Sequence, residues 1–238
     1  MTEDSALREL TEDPSSRKRF LKAVGGGGAA AALGVLIAAC GGDDKKSSSS
    51  SDTMSATTST AAASDSDMKG DIEIVNYALT LEYLEAQFYA DVIASGVIKD
   101  PAIGSVAKKF GETEQQHVDA LIATVKQLGG TPAEKPMASF QSVIDGGAKK
   151  ILEAAATVEN LGAAAYLGQA GNIKSKEILA AALSIHSVEA RHAATLNAVI
   201  GAGFMGSGPL NGSIPDGAFA KPMAKEDVLK AVQPFLTA

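Results

Sequence analysis

Apolar residues recur at alternating intervals of three and four through most of the chain after residue 68. This spacing places them on one face of an α-helix. Four long stretches show it, and segments rich in Gly or Pro separate them. A shorter amphipathic stretch, residues 225–236, predicts a short helix near the C-terminus. The sequence therefore predicts an all-α fold, a four-helix bundle with one additional short helix.

The connection between the second and third helices is long. Asp100 and Pro101 form an N-cap and first-turn pattern for the second helix, and Gly129-Gly130 ends it. About 18 residues in extended form reach up to ~60 Å, whereas a helix of about 25 residues is only ~38 Å long. We therefore expect this connection to cross the whole length of the bundle.

One glutamate of the first helix lies among its apolar residues. Glu82 follows Leu79 and precedes Tyr89 on the predicted buried stripe. An ionised carboxylate there costs several kcal/mol unless it is paired or binds a metal ion. Glu85 lies one position off the stripe, so we predict that it is solvated, as is Glu112 on the second helix. Glu82 is thus the predicted ligand of this helix.

The same arrangement occurs twice along the chain. In each copy a glutamate on one helix is followed, on the next helix, by a Glu and a His three residues apart, which lie on one side of a helix. The corresponding members are 75 to 77 residues apart. Four Glu and two His are a ligand set for two metal ions in a four-helix bundle. The predicted metal ligands are Glu82, Glu114, His117, Glu159, Glu189 and His192. The third histidine, His186, is predicted to lie at a boundary or surface position.

The composition and charge of the chain limit which ligands and partners we expect. The chain of 238 residues has a formal net charge of −7, so we expect no nucleic-acid partner and favour small cations. Its single cysteine, Cys40, excludes a Cys-rich metal site. Carboxylate-rich ligation without thiolate suits two iron ions first, with manganese as the alternative.

The N-terminal region resembles a bacterial export signal. Basic residues 17–19 precede an apolar run, 29–39, that is too short to span a bilayer and is followed by Cys40 in a lipobox-like context. We predict a lipoprotein signal peptide over residues 1–39, lipid on Cys40, and anchoring to the outer face of the cell membrane. Residues 16–22 are similar to a twin-arginine signal, with Lys18 in place of the second Arg, so that route and general secretion both remain open. Residues 40–67, rich in Ser, Thr, Ala and Asp, predict a disordered tether.

The motifs together resemble the ferritin-like superfamily, and more narrowly the bacterial ferritin-like domain family related to desiccation-associated proteins. The resemblance rests on residues 81–86, 158–162, 165–168 and 188–193. It implies a ferritin-like bundle over residues 68–205 with a long crossover between helices 2 and 3, followed by a loop and short helix over 206–238. It also implies that some of the glutamates bridge the two ions, and that Tyr89 and Tyr166 are hydrogen-bond partners of the ligands.

Two functions stay open at this point. One is an oxidoreductase of ferroxidase or peroxidase type, with oxygen, peroxide or ferrous iron as substrate. The other is a non-catalytic module that binds metal or protects the cell under stress. A homodimer is a further expectation that the residues leave open.

Overall fold

Four long helices form the framework of the protein, and the computed structural model describes residues 65–203, 205–206, 210–214 and 218–237. The described helices are α1, Asp65–Ser95; α2, Pro101–Gln127; α3, Gln141–Asp145; α4, Gly147–Ala170; α5, Lys176–Val199; and α6, Lys225–Val232, which continues into a 3₁₀ turn, Gln233–Phe235. The described residues contain no strand, only an isolated bridge between Ala138 and Leu236. The predicted all-α fold is confirmed. The predicted signal peptide, Cys40 and almost all of the predicted tether lie outside the described residues.

The helix starts follow the capping chemistry of the sequence. The carboxylate of Asp100 accepts hydrogen bonds from the backbone N–H groups of Ala102 and Ile103 at 2.8 and 3.0 Å, and Pro101 occupies the first turn of α2. Ser175 caps α5 in the same way, with its hydroxyl accepting from the N–H of Ile178 at 3.2 Å. These caps satisfy N–H groups that the helices themselves leave unpaired.

The long helices pack as two hairpins, α1 with α2 and α4 with α5, and α1 also packs against α4. The connection from α2 to α4 runs along α1. Its beginning is held by Asn76, whose side chain contacts the backbone of Thr131 and Ala133. Further on, Phe140 packs edge-on against Phe88 of α1. Residues 76 and 88 are twelve positions apart, about 18 Å along the helix, so the connection is a long crossover, as predicted, and these attachments span part of the length of α1.

The C-terminal helix closes over this crossover. The N–H of Ser139 donates to the carbonyl of Phe235 at 2.9 Å, and the N–H of Thr237 donates to the carbonyl of Met137 at 3.0 Å. Phe140 is buried between Phe88 and Phe235. The short helix α6 thus completes the core beside α1 and α4, where its Val228 and Val232 are buried.

Beside a small cluster of Ala163, Ala193 and Ile214, the described core contains two large apolar clusters. One contains Phe88 and Tyr89 of α1 together with Leu196 of α5, and the other contains Leu79 of α1 and Ile185 of α5. On α2 and α5 the predicted metal ligands lie between residues of the two large clusters, whereas on α1 and α4 one cluster has members on both sides of the predicted ligand. In the described part of the chain, no helix is long and apolar enough to cross a membrane.

Candidate metal centre

The six predicted ligands are brought together at the middle of the bundle. The four glutamates are 0% exposed, and the histidines are 8% and 6% exposed. Each of the four long helices contributes: α1 and α4 one Glu each, and α2 and α5 one Glu-x-x-His pair each. The residues are Glu82, Glu114, His117, Glu159, Glu189 and His192.

These six side chains form two overlapping groups of four. Within each group, one ligand atom from each residue lies within 4.8 Å of the others. Glu114 and Glu189 belong to both groups. The first group adds Glu82 and His117, and the second adds Glu159 and His192. Two positions that share two carboxylates have the arrangement expected for a pair of bridged ions.

The histidines lie against carboxylates of several helices. His117 Nδ1 is 2.8 Å from Glu114 Oε2, 3.2 Å from Glu82 Oε2 and 3.1 Å from Glu189 Oε1. His192 Nδ1 is likewise 2.8 Å from Glu114 Oε1. A ring nitrogen carries at most one hydrogen, which cannot point well at three oxygens. Such convergence of donor atoms on a small space is typical of a site for cations.

The protein environment shifts the pKa values of the four glutamates in two directions. Burial raises the pKa of Glu82, Glu159 and Glu189, because the ionised form loses its hydration. Glu114 differs. Burial also acts to raise its pKa, but hydrogen bonds with the two histidines lower it to about 2. Glu114 is therefore the carboxylate most firmly held in its charged form.

The histidines respond to the carboxylates around them. Burial by itself would lower the pKa of His192, but hydrogen bonds to Glu114 and Glu159 raise it to about 9. Burial acts in the same direction on His117, and the surrounding carboxylates raise its pKa further above the ordinary value. In the absence of metal both rings are protonated at neutral pH. Because a histidine ligand must be neutral, metal binding has to release these protons.

The charge of the cluster matches a pair of divalent cations. No lysine or arginine of the described residues forms an ion pair with the four glutamates. Two imidazolium groups offset at most half of four buried carboxylates, and uncompensated buried charge is costly. Two divalent ions would offset all four. The donor set, oxygen and imidazole nitrogen, also suits iron and manganese, so the residues present fit the predicted group.

Two tyrosines connect the halves of the repeat. The hydroxyl of Tyr89 donates to Glu159 Oε1 at 2.5 Å, and that of Tyr166 donates to Glu82 Oε1 at 2.6 Å. Since the later residue of α1 pairs with the earlier residue of α4, and vice versa, the two helices are antiparallel. Each hydroxyl donates to a carboxylate that belongs to one group only, and the expected role of the tyrosines as partners of metal ligands stays a prediction.

Glu85 corrects a prediction. We expected it to be solvated, but it is only 4% exposed. The reason is that α1 packs against α2, α4 and the C-terminal helix, so a second stripe formed by Leu81, Leu84 and Phe88 is also buried. Glu85 lies beside this second stripe. In the sequence, these three apolar residues were the evidence from which the burial of Glu85 could have been predicted.

The remaining polar side chains near the centre are peripheral. His186 is half-buried, and its Nδ1 lies 3.0 Å from the carbonyl oxygen of Ala163. It belongs to neither group of four, which agrees with the predicted boundary position. Glu112 is exposed, also as predicted.

Comparison with known families identifies a relationship that covers more than half of the chain. Residues 70–202 match the family described as a ferritin-like domain. The matched range contains all four long helices almost completely, together with the six clustered side chains. No curated protein matches the chain.

Proposed function

The chain belongs to the ferritin-like domain family, and from this premise we propose that it binds two metal ions between its four long helices. The observation that carries the proposal is the pair of overlapping four-residue groups. Glu82 and His117 would hold one ion, Glu159 and His192 the other, and Glu114 and Glu189 would bridge them. Iron is the first candidate and manganese the second, because both accept mixed carboxylate and imidazole ligation.

The reaction we propose is the oxidation of ferrous iron, as substrate, by molecular oxygen or hydrogen peroxide, of the ferroxidase or peroxidase type: each Fe²⁺ loses one electron to become Fe³⁺, and the oxidant takes up these electrons and protons to give hydrogen peroxide or water. A bound pair of iron or manganese ions would supply the redox chemistry of this reaction. The surrounding residues control the environment of this chemistry. The hydroxyls of Tyr89 and Tyr166 hold Glu159 and Glu82 in place. The ring of Phe110 stacks on His192 with centroids 3.7 Å apart, and the two apolar clusters keep bulk water away.

A second candidate function is supported by the closure of the site. All four glutamates are fully shielded from solvent, and a fully closed centre is suited to holding metal without turnover. In this case the domain would act as a non-catalytic metal-binding or stress-protective module. The resemblance of its motifs to desiccation-associated proteins is consistent with that role.

The first experiment determines metal content and reactivity together. The purified chain is reconstituted anaerobically with Fe²⁺, and the bound iron is counted by inductively coupled plasma mass spectrometry. We expect close to two ions per chain. Oxygen or peroxide is then added, and ferric absorbance is followed by stopped-flow. Rapid oxidation supports the oxidoreductase, whereas bound iron that does not react supports the non-catalytic module.

Two variants make this experiment specific. Glu114→Ala removes a side chain that belongs to both groups and should abolish reactivity. Glu112→Ala, two residues away on the same helix and exposed, should behave as the unmodified chain. Absence of bound iron after reconstitution of the unmodified chain would reject the proposed site. A Glu114→Ala variant that reacts normally would exclude these ligands from the chemistry.

We extend the proposal to location. The lipobox-like sequence ending at Cys40 supports a lipid anchor on the outer face of the cell membrane, with residues 40–67 as a tether and residues 68–205 as the bundle. Cell fractionation with radiolabelled palmitate tests this. The unmodified chain should be labelled and found with membranes, and Cys40→Ser should be neither. Equal labelling of the two chains would contradict the anchor.

A further inference from the structure

The internal repeat breaks at one position close to the metal ligands. Glu82 and Glu159 are 77 residues apart, as are Tyr89 and Tyr166. The same interval leads from Glu85 to a glycine, Gly162. The first copy thus has a second carboxylate one helical turn after its ligand, where the second copy has no side chain.

This glycine leaves room for the extra carboxylate. A Cβ atom at Gly162 would lie 2.8 Å from Glu85 Oε1 and 3.0 Å from Glu189 Oε2. Both distances are shorter than ordinary contacts between a methyl group and an oxygen. The two carboxylates therefore flank the same small space, which the absence of a side chain at Gly162 keeps open. Glu189 is one of the two residues that belong to both groups of four.

Glu85 is buried without the contacts that normally stabilise a buried carboxyl group. It is only 4% exposed, and its Oε2 has no hydrogen-bond partner among the described residues. Oε2 of Glu189 also lacks a partner there. The large majority of buried polar side-chain atoms in folded proteins are hydrogen-bonded. Two unpartnered carboxylate oxygens on adjacent side chains are donor atoms that a bound cation would satisfy.

We infer that Glu85 is a fifth carboxylate ligand of the dinuclear centre. It would reach the ions next to Glu189, through the space that the absence of a side chain at Gly162 leaves open. This inference rests on the proposed metal site, since without bound ions Glu85 has nothing to coordinate. It makes the centre asymmetric, because the second repeat offers no equivalent ligand.

The structural alternative makes a different prediction. If Glu85 only fills space, removing its charge should change the stability of the metal-free and metal-loaded chains by the same amount. If Glu85 is a ligand, the two states should respond with opposite sign. Without metal, replacing a carboxyl group that is buried among other carboxylates by a neutral amide should stabilise the chain. With metal, the loss of a ligand should weaken binding.

The experiment uses Co²⁺ as the probe, because its visible absorption reports the number and kind of its ligands. The full chain and the variant Glu85→Gln, which keeps the shape and removes the charge, are titrated with Co²⁺. Thermal unfolding is measured with and without the ion. We expect the variant to melt higher than the unmodified chain without Co²⁺, to bind at least one Co²⁺ about 10-fold more weakly, and to show altered absorption per bound ion.

Two further variants serve as a test of mechanism and a control. Gly162→Ala keeps Glu85 but places a methyl group in the shared space, and Ala favours a helix over Gly. It should weaken Co²⁺ binding in the same direction as Glu85→Gln. Glu112→Gln removes an exposed charge near the ligands of α2 and should leave Co²⁺ binding and absorption unchanged. Because the new methyl group would also lie against Glu189, the variant that replaces Glu85→Gln should it fail to fold is Glu85→Asp, which keeps the charge but shortens the side chain and should also weaken Co²⁺ binding.

The outcomes separate this inference from the proposed site. If the unmodified chain binds two Co²⁺ ions and both Glu85→Gln and Gly162→Ala bind them with the same affinity and absorption, Glu85 is not a ligand and the six-residue site stands. Equal shifts of melting temperature in the metal-free and loaded states would likewise overturn the inference. If the unmodified chain binds no Co²⁺, the proposed site itself fails.

Discussion

The shared carboxylates provide the sharpest test of a dinuclear centre. Glu114 belongs to both groups of four, whereas Glu159 belongs to one. Replacing Glu114 by Gln should therefore weaken both ion positions, and replacing Glu159 by Gln should weaken mainly one. A site for a single ion, or two independent sites, would not produce this difference between two equally buried glutamates.

The size of the effect follows from linkage between binding and folding. At a free metal concentration of 100 times Kd, each bound ion stabilises the folded chain by about 2.7 kcal/mol. For a domain of this size, about 1 kcal/mol corresponds to roughly 2–4 °C in Tm, so one ion contributes roughly 5–11 °C. The unmodified chain should gain about twice that, Glu159→Gln about half as much as the unmodified chain, and Glu114→Gln almost nothing.

The assay combines differential scanning calorimetry with metal analysis of the same samples. Mn²⁺ is the probe, because it resists oxidation by air, and Glu112→Gln is the matched control of equal charge change. We expect two, one and no ions per chain for the unmodified chain, Glu159→Gln and Glu114→Gln. A Glu114→Gln chain that keeps one ion at unchanged affinity would refute the shared role of this carboxylate, as would loss of both ions from Glu159→Gln alone.

Further predictions concern pH, ligand orientation and folding. His192 has a pKa of about 9 in the folded chain and about 6.5 in the unfolded chain. Its contribution to the stability of the metal-free chain is therefore complete below pH 6.5 and is lost as the pH rises through 9. Calorimetry across this pH range should show a falling Tm. Tyr166→Phe removes the hydroxyl that donates to Glu82, and chelator competition should show about 10- to 100-fold weaker binding of one ion with the stoichiometry kept. Asp71→Ala removes a buried carboxylate that accepts from the N–H of Ser175 at 2.8 Å, and urea unfolding should show a loss of about 1–3 kcal/mol.

Much of the fold was predictable because its signals are local. The spacing of apolar residues predicts the four long helices, and Asp100-Pro101 and Gly129 mark two of their ends. The pattern also selects Glu82, because a carboxylate among apolar residues needs a partner. The crossover could be predicted from its length, but not its attachment to Asn76, which depends on side chains more than fifty residues apart.

Glu85 shows where a local pattern stops being sufficient. A stripe analysis assumes that each helix buries one face, whereas α1 is covered by α2, α4 and the C-terminal helix. The packing of the crossover and of α6 determines which second face of α1 is covered. The crossover and α6 contact each other through residues far apart in the chain, such as Ser139 and Phe235. The absence of a side chain at Gly162 can be related to the burial of Glu85 only once α1 and α4 are known to be neighbours. The predicted lipid anchor at Cys40 lies outside the described residues and stays a prediction.

The internal repeat has a consequence for how the centre forms. Neither copy contains a complete ion position, because the group with Glu82 needs Glu189 from the second copy, and the group with Glu159 needs Glu114 from the first. The tyrosine contacts also cross between the copies. The ligands therefore converge only when the two helical hairpins dock. Since a ligand that binds only the docked state stabilises it, the proposed metal binding and hairpin docking would be one linked equilibrium. In the middle of the bundle, bound ions would stabilise the contact between the hairpins, as apolar packing does elsewhere in the core.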